Sequence, residues 1–332
     1  MMPFSLLLVI TAFKIELYLI SYFFSTLWME LYPNQLDFGK RIIDALANRR
    51  NVLAFAHTQC GKTGSMLAAF QYDNTPNHKA FVITGLSSTD WLAQTKSRIP
   101  IARIFHRNTL HHFIKIIQTI RNPLVFIDEC HIAFKPGQAI WELLPIISHA
   151  RVVFVSATPD MKFFKPDGVR PGFAIRVMKD PPGYVSLKYL SDSGHILQCK
   201  NISDSPDAIS NIQEIIPYLS SPAYHIIRTP KDLLHQITIH NFRKVFLHAD
   251  FISLPTELSF LAVQPLRHTF VFIKDTLRCA ITIPKPFIGV LYERFSKYPN
   301  KSSIIQGLAG RATGFGSAHI LVFSFPGLLN TA

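Results

Sequence analysis

Short runs of four to seven apolar residues alternate along this chain with stretches whose apolar positions recur every three or four residues. The first pattern predicts buried strands and the second amphipathic helices. From 35 to 48, Leu36, Phe38, Ile42, Ile43, Ala45 and Leu46 fall near one helical face. A strand is expected at 51–56, a polar turn at 57–64 and a helix at 65–72. Next come a strand at 79–85 and a helix at 89–99, with Thr89 or Asp90 near its N-cap. A short strand at 102–106, a helix at 109–120, a strand at 123–129, a helical stretch at 142–148 and a strand at 150–158 complete the first part. Strands that are apolar on both faces and alternate with helices predict an α/β fold with mostly parallel sheets.

The pattern changes near 175–190, where Lys179-Asp180-Pro181-Pro182-Gly183 reads as a turn or linker. A second α/β region follows. Helices are expected at 211–219, 231–241 and 302–310, and strands at 223–229, 244–249, 269–275 and 318–325, with a further apolar stretch at 287–295. The expected division is a hydrophobic segment at 1–28, one domain at 29–180 and a second at 181–332. No internal repeat stands out.

Residues 4–28 are long enough to suit a membrane span, but Lys14 and Glu16 sit near the middle, where charge is costly. No small-residue cleavage site follows a short apolar core. Three readings stay open: a signal anchor, a helix packed on the body, or a segment outside the working protein with Met29 as the start. The third is favoured, because the sequence from Met29 reads as the start of a soluble domain.

Composition narrows the class. With 48% hydrophobic and 17% charged residues the chain can bury sizeable cores and is not disordered. Lys+Arg 34 against Asp+Glu 21 gives a net charge of +13, which points to a polyanionic partner, nucleic acid ahead of membrane. Lys40, Arg41, Arg49 and Arg50 form one basic group and Arg243-Lys244 a smaller one; either can equally be a solvated face. The cysteines at 60, 130, 199 and 279 form no C-x-x-C pair, so they read as reduced thiols of an intracellular, soluble protein. The histidines, His111-His112 included, lack metal-binding spacing.

Candidate chemistry lies at strand ends, where open α/β sheets bind ligands. Ala56-His57-Thr58-Gln59-Cys60-Gly61-Lys62-Thr63 nearly fits the phosphate-binding pattern G-x-x-x-x-G-K-S/T between a strand and a helix, with Ala56 in place of the first glycine. Backbone N–H groups of such a loop cradle phosphates. Thr58, Gly61, Lys62, Thr63 and Gly64 are the expected contacts, Lys62 on the β- and γ-phosphates and the Thr63 hydroxyl on Mg²⁺. Asp128 and Glu129 end another buried strand. Beside a metal-bound triphosphate, Asp128 would hold Mg²⁺ and Glu129 would accept a proton from the attacking water.

In this order, the GKT loop, Asp128-Glu129-Cys130-His131 and Ser156-Ala157-Thr158 resemble the superfamily 2 helicases of the DEAD/DEAH type. The late segment 306–314 looks closer to the virus- or phage-type members. The resemblance spans roughly 33–325 and implies two RecA-like domains with ATP and Mg²⁺ in the cleft between them. It implies that Gln35 reads adenine and that His131, Ser156 and Thr158 couple hydrolysis to movement. Thr84 and Gly85, and Arg228 and Thr229 in His225-Ile226-Ile227-Arg228-Thr229, would touch nucleic acid. Residues 274–282 are loosely like a further motif. Gln306 would belong to the nucleotide site, and Arg311 would be the arginine finger. A second arginine is usual three residues later; here Gly314 stands there.

The implied activity is an ATP-dependent helicase or translocase acting on DNA or RNA. No dedicated protein partner is inferred and a membrane partner is disfavoured. Two other classes remain: a hydrolysis-impaired nucleic-acid-binding protein derived from a helicase, suggested by Ala56 and Gly314, and a membrane-anchored P-loop ATPase, suggested by residues 4–28.

Overall fold

In the computed structural model, which describes residues 31–74, 79–159, 173–253, 258–274 and 283–329, the apolar runs assemble into two six-stranded sheets. The first contains β1 (Asn51–Phe55), β2 (Ala80–Thr84), β3 (Arg103–Phe105), β4 (Leu124–Asp128), β5 (Arg151–Ser156) and β6 (Phe173–Val177) in the order β3-β2-β4-β5-β1-β6. The second contains β7 (Ile196–Gln198), β8 (Tyr224–Arg228), β9 (Asp250–Ser253), β10 (Thr269–Ile273), β11 (Ile288–Tyr292) and β12 (Leu321–Ser324) in the order β7-β12-β11-β8-β10-β9. Every pairing is parallel. The expected α/β class with parallel sheets holds. The segment at 4–28, residues 275–282 and Cys279 lie outside the described residues.

Parallel sheets need both faces covered, and the sequence supplies the means. All five residues of β4, β8 and β10 are buried. Around the first sheet, helix α1 (Pro33–Leu46) turns Phe38, Ile42, Ala45 and Leu46 inward. Helix α2 (Lys62–Tyr72) is buried along Met66–Phe70 and packs against α1. The register matters for function. Thr84 stands beside Asp128, and Phe55 stands between Ser156 and Val177. The carboxyl ends of β2, β4, β5 and β1 therefore form one edge, from which the turns carrying the candidate chemistry emerge.

Several expectations are corrected. The helix after the phosphate loop starts at Lys62, and the cap of helix Thr89–Arg98 is Ser88, whose hydroxyl accepts from the Trp91 N–H at 3.1 Å. Residues 244–249 are not a strand: the helix Leu233–Val245 takes in Lys244 and Val245, and the strand is Asp250–Ser253. Phe242 and Phe246, four apart, both pack on Phe270, the first edge-on and the second stacked, with ring centroids 5.0 and 4.5 Å away, so the apolar pattern there is helical. The helix expected at 302–310 is two short ones, Lys301–Ile305 and Leu308–Arg311, parted at Gln306-Gly307. Pro217 and Pro145 shorten the helices expected at 211–219 and 142–148 to Ala208–Gln213 and Ala139–Leu143.

One polar pair is built into the first layer. Arg151, which opens β5, donates from Nη1 and Nη2 to the two carboxylate oxygens of Asp73 at 2.9 and 2.7 Å, and the Asp73 side chain is only 2% exposed. Removing one partner strands the other in a low-dielectric site. Asp73→Ala is expected to lower the unfolding free energy by about 3–5 kcal/mol, read as an earlier first transition in urea. A loss below about 1 kcal/mol would place the pair with exposed ones.

Candidate active site

The turn after β1 has the geometry a phosphate cradle requires. Gln59 and Gly61 take left-handed backbone, with φ of 60° and 107°, and α2 begins at the next residue with its N–H groups facing outward. A side chain at Gly61 is excluded twice, by that φ and because its Cβ would lie 2.5 Å from the Gln35 amide nitrogen. Ala56, which replaces the usual first glycine, is not among the residues with positive φ. Alanine therefore fits there without strain. Lys62 curls over the loop and donates to the His57 carbonyl at 3.4 Å. Gln35 is committed locally: its Oε1 accepts from the Tyr32 N–H at 3.0 Å and its Nε2 donates to the Gly61 carbonyl at 3.4 Å.

The acids follow β4. Asp128 accepts from Trp91 Nε1 at 2.9 Å and from the Glu129 N–H at 3.0 Å. Burial, and next the neighbouring Glu129 charge, raise its carboxyl to about 6, while Trp91 and Lys62 pull the other way. Glu129 is held at a φ of 49°, unusual for a residue with a side chain. Its Oε2 is buried and has no hydrogen-bond donor. That oxygen, the Asp128 carboxylate and the Thr63 hydroxyl are hard oxygen ligands beside the Lys62 amine. They fit a magnesium-bound polyphosphate. Among the described residues no cluster of three or more metal-ligating side chains exists. The ion would therefore take its other ligands from phosphate and water, as Mg²⁺ usually does.

His131 joins this turn to the second sheet. Its Nδ1 lies 3.0 Å from Ser156 Oγ, 3.3 Å from Gln306 Nε2 and 3.6 Å from Glu129 Oε2. Burial lowers the imidazole to about 4, so it is neutral at pH 7, and the Glu129 approach is not an ion pair despite its distance. Gln306 Nε2 also donates to Thr158 Oγ1 at 2.6 Å, and Ser156 Oγ accepts from the Thr158 N–H at 3.0 Å. Arg311, 3% exposed, donates to the Gln306 carbonyl at 3.1 Å. Lys62, Thr63, Asp128, Glu129, Gln306 and Arg311 all line one cavity of about 670 Å³, a volume in the range of small-molecule sites. Thr58, Gly61, Gly64 and Gln35 line it too.

The expected nucleic-acid residues are placed differently. Thr84 and Thr229 are 0% and 1% exposed. Thr84 Oγ1 accepts from the Leu86 N–H at 3.3 Å, while Thr229 Oγ1 lies 2.6 Å from His235 Nδ1 and donates to the Ile273 carbonyl at 3.1 Å. Gly85 is pressed against the Ile132 carbonyl, and Arg228 Nη1 is held by both carboxylate oxygens of Glu293 at 3.1 and 2.9 Å. All four stand at or just past carboxyl ends of strands, with both threonine hydroxyls and Arg228 Nη1 engaged inside the protein. The basic group on α1 is likewise partly neutralised, Lys40 by Asp44 at 2.8 Å and Arg41 by Asp37 at 3.4 Å.

No protein-family model matches the sequence, and no curated protein matches it. Solved structures do. The Escherichia coli DEAH/RHA helicase HrpB superposes with a TM-score of 0.56 at 16% identity, over 86% of this chain and 42% of that one. S. cerevisiae Dbp5 bound to RNA and ADP BeF3 superposes with a TM-score of 0.53 at 12% identity, over 91% of this chain and 89% of that one. The fold is the paired RecA-like core of helicases. This chain spans less than half the length of HrpB, and identities this low speak for fold alone.

Four side chains of the site escaped the sequence reading. Trp91 binds Asp128 from the neighbouring helix, Tyr184 and Thr313 both donate to the Thr58 carbonyl, at 2.6 and 2.9 Å, and Lys285 lines the cavity. A tryptophan one turn into the helix after β2 was the one available signal. Trp91→Phe replaces the indole with a smaller aromatic ring and removes the donor, so a buried carboxylate oxygen loses its partner. The expected cost is about 1–3 kcal/mol of stability, measured by urea titration; an unchanged midpoint would mean that another donor replaces the indole.

Proposed function

We propose that the chain is a Mg²⁺-dependent ATP hydrolase whose turnover is coupled to DNA or RNA, a helicase or translocase. The observation that carries this reading is the single cavity between the sheets, which gathers the phosphate loop, the paired acids and Arg311. Two of these groups come from strand ends of the first sheet and Arg311 comes from a helix of the second unit, so the cavity is complete only when the two halves meet. The fold shared with HrpB and with RNA-bound Dbp5 supports the same reading.

The residues take these roles. Backbone N–H groups around Gly61 and Lys62 bind the phosphates, and the Lys62 amine neutralises them. Thr63 and Asp128 hold Mg²⁺, which when bound polarises the phosphoryl oxygens. Glu129, with its Oε2 buried and free of donors, accepts the proton of a water. Arg311 stabilises charge that develops at the terminal phosphate. His131, two residues after Glu129, is hydrogen-bonded to Gln306 of the second unit, and Gln306 also to Thr158, so a change at the terminal phosphate that moves the acidic turn alters the fit of the two halves.

The basic excess favours backbone binding to nucleic acid, which weakens as salt rises. Lys62→Ala is expected to cut ATP turnover by about a hundredfold or more, and single-stranded DNA, duplex DNA or RNA, assayed side by side, should raise wild-type turnover. Turnover unchanged by the substitution would remove the phosphate loop from the reaction. Hydrolysis indifferent to all three nucleic acids would leave an ATPase without the proposed partner.

A further inference from the structure

Lys285 lies between β10 and β11, on the second unit's wall of the cavity, where Arg311 also stands. Its Nζ donates to the Thr313 carbonyl. An ammonium carries three hydrogens, so two remain after that bond. No carboxylate of the described residues forms an ion pair with it. Burial, and then the like charge of Arg311, hold the amine down to about 8.

The chain makes room for this amine at Gly314. A Cβ there would lie 2.7 Å from Lys285 Nζ, 3.3 Å from Gln59 Cβ and 3.4 Å from Gln59 Oε1. The lysine head, the phosphate loop and the missing side chain thus meet at one point. Gly314 also has a φ of 100°, so the backbone there calls for glycine, and a side chain would displace the lysine head from this position. A half-buried ammonium beside a guanidinium, with no carboxylate partner of its own, is electrostatically unfavourable, and an anion entering the cavity relieves it.

We propose that Lys285 is a phosphate-contacting residue of the cavity, a second cation that meets a nucleoside triphosphate from the side opposite Lys62. The assignment rests on the reading of the cavity as a nucleotide site. Lys285 also braces the Thr313 turn, so the test must separate charge from packing. Lys285→Gln removes the charge while keeping an N–H donor, on a side chain one bond shorter; Lys285→Arg keeps the charge.

The measurement is equilibrium binding of a fluorescent ATP analogue with Mg²⁺ to the full chain, with thermal melting of each variant and Lys62→Ala as a control. Lys285→Gln should melt as the wild type does and bind the triphosphate about tenfold or more weakly, while Lys285→Arg recovers most of the affinity. If Lys285→Gln binds as the wild type does while Lys62→Ala does not, Lys285 only braces the turn and the proposal is overturned. Equal weakening by Lys285→Gln and Lys285→Arg with lowered melting points overturns it too. Wild-type protein that fails to bind, or a Lys62→Ala protein that binds normally, overturns the nucleotide reading itself and this assignment with it.

Discussion

The carbonyl oxygen of Thr58 is the point at which the two halves of the molecule hold one another. It accepts the Tyr184 phenol at 2.6 Å, and the single hydrogen of the Thr313 hydroxyl is shared between it, at 2.9 Å, and the Gly310 carbonyl, at 2.8 Å. Burial pushes the Tyr184 phenol up, so it stays a donor at any ordinary pH. The next residue, Gln59, donates to the Gly310 carbonyl at 3.1 Å. The phosphate loop is therefore also the seat of the second unit. A neutral hydrogen bond of this kind contributes about 0.5–1.5 kcal/mol. That is the scale of a typical coupling free energy between sites. Anything that moves the loop must change these bonds, and a ligand with a modest preference for one arrangement can shift the balance.

The acidic turn is held by a different device. Left-handed backbone at a residue such as Glu129 costs about 1–3 kcal/mol and persists only when its surroundings fix it. Here the Cys130 N–H donates to the Val155 carbonyl and the Ile132 N–H to the Glu129 carbonyl, each at 2.9 Å, while Trp91 fixes Asp128. The connection from this turn to the second sheet runs through a neutral imidazole and an amide. It carries no charge that would need desolvation. Because Gln306 donates to His131 Nδ1 as well as to Thr158, the histidine proton belongs on Nε2. Both hydrogens of one amide thus lock the late segment to the turns after β4 and β5.

What could be read from the sequence was what local pattern and spacing decide. The strands β1, β2, β4, β5, β8 and β10, buried along most or all of their length, announce themselves as apolar runs, and the loop at 56–63 and the acids at 128–129 stand at the ends of two of them. Of the edge strands, β3 falls in the short strand expected at 102–106, whereas β7 has three residues and β6 is only partly buried, so neither of these two stands out. At 244–249 an apolar stretch was ambiguous, and the aromatic packing of Phe242 and Phe246 on Phe270 decided for helix. Trp91, Tyr184, Thr313 and Lys285 were invisible for another reason. Each acts on a residue far along the chain, and no spacing rule encodes that partner. The same holds for Thr84 and Thr229, whose places at strand ends were legible while their buried hydrogen bonds were not.

Charge ties the site to its proposed ligand. Lys62, Arg98, Lys285 and Arg311 line the cavity, opposed by Asp128 and Glu129, so four cations face two carboxylates. The imidazole of His131, lowered to about 4 by burial, adds nothing at pH 7. Asp128, raised to about 6, remains mostly ionised there. The wall thus carries a surplus of two positive charges in a partly buried space, where water screens them poorly. A triphosphate with one Mg²⁺ brings about two negative charges, so on the proposed reading the filled cavity is close to neutral. A diphosphate with the same ion brings about one and leaves the lining with a net positive charge. Lys285 and Arg311 belong to the second unit while the phosphate loop belongs to the first. Loss of the terminal phosphate therefore weakens the attraction across the seam at the place where Thr58 and Gln59 join the halves.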